Sequence, residues 1–133
     1  MKMRSLLWGV AALVGFGSSA LAGTKYVEPV WINTSVRSAS GSSADTRNTP
    51  DTLQYISCAV QGYGAATGAS SVAVCWAQDA KRTAVSCFTF EPELRQAAAA
   101  INGDSEIQFN WDASGHCTMI QATNGSTFAP KQP

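Results

Sequence analysis

Apolar residues follow two patterns along this chain. The first is one unbroken run, LLWGVAALVGFG, from Leu6 to Gly17. Beyond it, apolar and polar residues alternate with a period of two, the mark of strands that turn one face to a core. Residues 53–61 place Ile56, Cys58 and Val60 on one side. Residues 71–78 set Val72, Val74 and Trp76 against Ala73, Cys75 and Ala77, and residues 83–90 follow as a third strand. Both faces of these last two carry apolar side chains, which predicts central strands. Residues 105–111 alternate Ile107, Phe109 and Trp111 with Glu106, Gln108 and Asn110, and residues 116–122 return as the last strand. The apolar stretch 26–32 is interrupted by Pro29 and predicts an edge strand.

One stretch has the helical period instead. Within residues 92–102, Leu94, Ala97, Ala98 and Ile101 recur at i, i+3, i+4 and i+7. Pro92 suits the first helical position, Glu93 the positive end of the dipole, and Gly103 the position after the end. Residues 38–51, SASGSSADTRNTPD, hold no large apolar residue and predict a long exposed loop. Residues 62–69 (GYGAATGA) predict a flexible connection, and 126–133 a loosely held tail.

The turn Asp112-Ala113-Ser114-Gly115 has Asp first and a Gly suited to the left-handed conformation last. It sets a register in which Asp112 faces His116, Trp111 faces Cys117 and Phe109 faces Met119. That places Cys117 on the buried side.

The fold class that follows is α+β, mainly β: a disulfide-linked antiparallel sheet of about five strands with one helix packed on it. The four cysteines, Cys58, Cys75, Cys87 and Cys117, are too widely spaced for a metal knot and predict two disulfides in an exported chain. Three pairings are open. The preferred one is Cys75–Cys87 with Cys58–Cys117, since Cys75 and Cys87 flank a hairpin turn at residues 79–82.

Export itself is read from residues 1–22. Lys2 and Arg4 precede the apolar run, and Ala20-Leu21-Ala22 supplies an A-x-A cleavage site, the three parts of a secretory signal. The run is shorter than the roughly 20 residues a membrane helix needs. The mature chain, 23–133, is then one small domain in the periplasm or outside the cell, with no membrane span. It keeps seven basic residues against nine acidic ones. Only Lys81 and Arg82 are adjacent, so no nucleic-acid partner is expected.

Chemistry-bearing residues are few. Asp112 and His116 come together in the register above, and an Asp–His pair can do acid–base work. Local turn chemistry is the favoured reason for Asp at that place. Ser86, Ser105 and Ser114 have no nucleophile-elbow context, and the Gly-rich segment at Tyr63 lacks the Lys-Ser/Thr and helix of a phosphate loop. No cofactor or metal is expected. Trp76 and Trp111 are expected in the core, and Tyr63 is the candidate exposed aromatic for ligand contact.

The elements Tyr55-Ile56-Ser57-Cys58, Cys75-Trp76-Ala77-Gln78-Asp79, and Asp104-Ser105 leading to Trp111-Asp112-x-x-Gly115-x-Cys117 resemble small exported bacterial proteins with paired cysteines and no assigned activity. The resemblance spans residues 53–130, implies export and paired cysteines, and brings no catalytic residue. The leading expectation is a non-enzymatic module that binds an unknown protein or small-molecule partner through loops 38–51 and 62–69. The alternatives are a small hydrolase using Asp112 and His116, and an inhibitor of an exported enzyme.

Overall fold

The computed structural model describes residues 25–128 and 130. The signal read at residues 1–22 lies outside them, as do 129 and 131–133 of the tail. The described residues form strands β1 (Trp31–Asn33), β2 (Ser38–Ser42), β3 (Tyr55–Gln61), β4 (Val72–Gln78), β5 (Ala84–Thr89), β6 (Glu106–Trp111) and β7 (Cys117–Thr123). Helices α1 (Ser43–Asn48) and α2 (Pro92–Ala99) accompany them, with a 3-10 turn at Ala65–Thr67. The domain is mainly β, as the alternation predicts.

The strands form two antiparallel sheets rather than one: β1-β2-β6-β7 and β3-β4-β5. In β4 the inner residues Ala73, Cys75 and Ala77 are fully buried. They pack with Ile56, Cys87, Ala98, Ile107, Phe109 and Ile120 in a single core. Helix α2 lies against β7, β3 and β4. Its Leu94, Ala97 and Ala98 meet the core, so the small side chains let it sit close. Of the two strands expected to be central, β4 is. β5, expected to be central, is an edge strand, joined to the other sheet by one parallel bridge, Phe88 to His116. Period two then forces Trp76 to the outer face, where it is half-buried between Ser57 and Ser86 in register, not in the core as expected.

Residues 38–51 are the main departure from the sequence reading. Instead of an exposed loop they form β2, paired on both sides, and α1. Ala39, Ser42 and Ala44 are fully buried. Small side chains are what this place requires: a Cβ on Gly41 would meet Val30 Cα at 3.1 Å. A strand interior to a sheet satisfies its backbone through its neighbours and needs no large side chain of its own. The helix that follows is capped by Ser42, whose Oγ accepts from the Asp45 N–H at 3.2 Å. The tail is also better held than expected as far as Phe128, through a parallel bridge to Tyr26 and a bond from the Tyr26 N–H to Thr127 O at 2.9 Å.

The disulfides are Cys58–Cys75 and Cys87–Cys117, a correction to the preferred pairing. Register explains it. Cys75 stands opposite both Cys58 and Cys87. Opposed residues in antiparallel sheets alternate between a close, non-hydrogen-bonded kind and a wider, hydrogen-bonded kind. Asp79 N–H bonds to Thr83 O at 3.0 Å, and counting back from that pair makes Cys75/Cys87 the wide kind. Cys58/Cys75 is then the close kind, with Cα atoms 4.0 Å apart. Cys87 is left to cross to β7 and staple the two sheets.

The last hairpin keeps Trp111 opposite Cys117, but Phe109 faces Ile120 rather than Met119. Cys117 and Ile120 both enter the core at a spacing that plain alternation forbids. A bulge at Thr118 resolves the conflict.

Candidate functional site

A concavity opens between α1, the start of β3 and the chain that follows α2. It encloses about 430 Å³. Ile56, Ile101 and Ile107 make its apolar floor, Ser43, Thr46 and Arg47 its wall on α1, and Tyr55 and Ser57 its rim on β3. Arg47 is the only charged residue among those that line it.

Local chemistry holds this frame in place. The Thr46 hydroxyl lies 3.0 Å from both Ser42 O and Ser43 O, which ties it to the first turn of α1. Arg47 Nη1 donates to Gly103 O at 3.2 Å, so the guanidinium bridges the two walls. Entry to β3 is set by Asp51. Its Oδ1 accepts from the Leu53 N–H at 2.6 Å, and its Oδ2 from Gln54 Nε2 at 2.7 Å. These donors, the Leu53 amide first, hold the Asp51 carboxyl below its ordinary value. Gln54 in turn accepts the Val30 N–H at 2.9 Å. On the far wall Asn102 is fixed by its own turn, accepting the Asp104 N–H at 2.8 Å.

The cleft continues along the surface. A hollow of about 270 Å³ shares Tyr55 with it and is lined by Trp76 and Ser86. A further hollow of about 320 Å³ shares Val85 and Ser86 with that one and reaches Arg37, Trp111 and Asp112. Tyr55, 41% exposed, therefore stands at the junction of the cleft and this shallow band.

Asp112 and His116 do meet, with Oδ2 3.5 Å from Nδ1. The other carboxylate oxygen accepts the Ser114 N–H at 2.8 Å and the His116 N–H at 2.9 Å, which is turn closure. The His116 amide is the largest cause holding Asp112 below its ordinary 3.8, with the Ser114 amide and the imidazole adding to it. The imidazole packs against Phe88, ring centroids 4.7 Å apart. Ser105 is fully buried and its hydroxyl bonds to Asn124, while Ser114 lies in the turn itself. The geometry is that of a braced hairpin end.

This brace makes a pH prediction. A carboxyl whose value is lower in the folded state stabilises the fold above its unfolded value, and that contribution is lost as the pH falls through the folded value. Asp112→Asn should therefore melt below wild type at pH 7, and the gap should close below about pH 3.8, where the unfolded carboxyl protonates. Thermal melts of both proteins across pH 2–7 check this. A gap that persists unchanged in acid would place the role of Asp112 elsewhere.

Tyr63 is exposed, as expected, but it lies outside the cleft and both hollows. Of the two segments expected to make contact, 38–51 does line the cleft, through Ser43, Thr46 and Arg47, but as α1 and not as a loop; without α1, sequence reasoning had nothing to set beside Tyr55 and Ser57 on β3. The available signal was Ser42 three residues before Asp45, a serine cap with an acid in the first turn. Among the described residues no group of three or more His, Cys, Asp or Glu is placed to hold a metal, and no helix is long and apolar enough to cross a membrane. Comparison with protein-family models, curated proteins and solved structures finds no match.

Proposed function

We propose that this chain is an exported, non-catalytic binding module whose recognition site is the cleft between α1, β3 and the segment after α2. On this reading the signal at residues 1–22 is removed, and the mature domain acts in the periplasm or outside the cell. The two closed disulfides suit an oxidising compartment. The observation that carries the reading is the lining of the cleft. An isoleucine floor, an uncharged polar rim and one cation suit recognition, since apolar contact gives affinity and a few placed polar groups give orientation. The lining contains no His, Cys, Asp or Glu, the residues that most often move protons in a site.

The test uses the mature protein as bait in the native periplasmic and extracellular fractions, with partners identified by mass. Wild type should retain a partner. Ser57→Trp, which puts an indole into the rim of the cleft on a strand that tolerates aromatics, should lose it while melting within a few degrees of wild type. If the filled variant holds the same partner as strongly as wild type, the cleft is not the recognition site.

A further inference from the structure

The cleft runs beside the outer edge of β3, whose start packs against α1. Among the described residues β3 pairs only with β4. Since Cys58/Cys75 is a close pair, the N–H and C=O of Cys58 point away from β4, and by alternation so do those of Ile56 and Val60. Among the described residues none of these six groups makes a main-chain hydrogen bond outside the sheet. Proteins usually guard such an edge with a charge or a proline. The sequence of β3, YISCAVQ, has neither. The edge also begins at the cleft, because Tyr55, Ile56 and Ser57 line it.

We propose that the occupant is an extended peptide segment of a partner protein, added as a strand along the free edge of β3, with an aliphatic side chain on the isoleucine floor and a carboxylate at Arg47. This rests on the binding-module reading above. An added strand exchanges main-chain hydrogen bonds with the edge, and alternate side chains enter the adjoining pocket. The floor of Ile56, Ile101 and Ile107 selects an apolar side chain there. Charge complementarity selects the end group: Arg47 is the sole ion of the lining, and with one nitrogen held on Gly103 its other N–H groups are presented to a carboxylate. Arg47 stands near the start of β3. A C-terminal carboxylate therefore requires the peptide to run antiparallel to β3, whereas an acidic side chain allows either direction.

The probes are three acetylated octapeptides of alternating threonine and valine: one with a free C-terminal carboxylate, its C-terminal amide, and the amide carrying one internal aspartate. Affinity is read by calorimetry, and contact by amide exchange in the mature protein. The free-acid or the aspartate peptide should bind and protect the Ile56, Cys58 and Val60 amides, and the preference between the two identifies the source of the carboxylate. The plain amide should bind about tenfold more weakly. Arg47→Gln should erase that difference. Val60→Pro removes one outward donor, leaves the ladder to β4 intact, and should weaken every peptide by about tenfold or more. Failure of all three peptides to protect those amides at millimolar concentration overturns the proposal, as does unchanged binding to a Val60→Pro protein that is shown to be folded. A concentration-dependent dimer abolished by Val60→Pro would make a second copy the occupant and also overturn it. If a captured partner is lost on Ser57→Trp but kept on Val60→Pro, the binding module stands and strand addition falls.

Discussion

A mature chain lacking residues 40–48 is expected not to fold. The excision removes most of β2 and all of α1, including Gly41, Ser42 and Ala44, which are buried. Among the described residues β1 pairs only with β2, and β6 would lose three of the five pairs it makes on that edge. The loss of interior backbone bonds alone removes several contributions of about 1 kcal/mol each, from a domain whose total margin is about 5–15 kcal/mol. The wall of the cleft goes with α1. The excised protein should show no cooperative urea transition and no near-ultraviolet dichroism. A cooperative transition close to that of wild type would mean that β2 and α1 are peripheral, as the composition of residues 38–51 suggests when taken alone.

The second large effect is expected from opening Cys87–Cys117. Loop-closure entropy for its sequence separation of 30 corresponds to about 3.6 kcal/mol, against about 3.1 kcal/mol for the separation of 17 in Cys58–Cys75. These two figures are close, but the structural consequences are not. Cys58–Cys75 lies within a ladder of seven opposed pairs that already holds β3 to β4. Cys87–Cys117 joins two sheets at β5 and β7, which share no ladder and have beside them the isolated Phe88–His116 bridge. Cys87→Ala with Cys117→Ala should therefore lower the Tm by about 15 °C or more and speed amide exchange in both sheets. Cys58→Ala with Cys75→Ala should keep β6 and β7 protected and loosen mainly β3. Calorimetry and exchange on the two double variants decide it. Equal and uniform losses in both would show that the staple between the sheets has no special place in the fold.

The alternating segments were legible because each supplies its own evidence. A strand such as β6, with Ile107 and Phe109 inward and Gln108 and Asn110 outward, displays its face in the order of its residues. The same holds for the stripe on α2, shorter by three residues than its period suggested, and for the turn closed by Asp112. β2 was illegible because serine, alanine and glycine carry no hydrophobic contrast. Their burial is imposed by neighbours, above all by Val30 crossing over Gly41. The candidate site was illegible for a related reason: it joins residues 43–57 to 101–107, and only the packing of α1 against β3 brings those segments to one cleft.

By itself, then, the order of residues determined that β3 to β7 are strands and α2 a helix, the turn that returns β6 into β7, and that four thiols belong in pairs, since these follow from local period, turn chemistry and count. Tertiary structure alone decided that the strands divide into two sheets, that Cys75 joins Cys58 and not Cys87, that Trp76 faces outward, and that an unguarded edge borders a cleft. Each of those depends on which backbone groups face which neighbour, a relation between residues distant in the chain that no local pattern encodes.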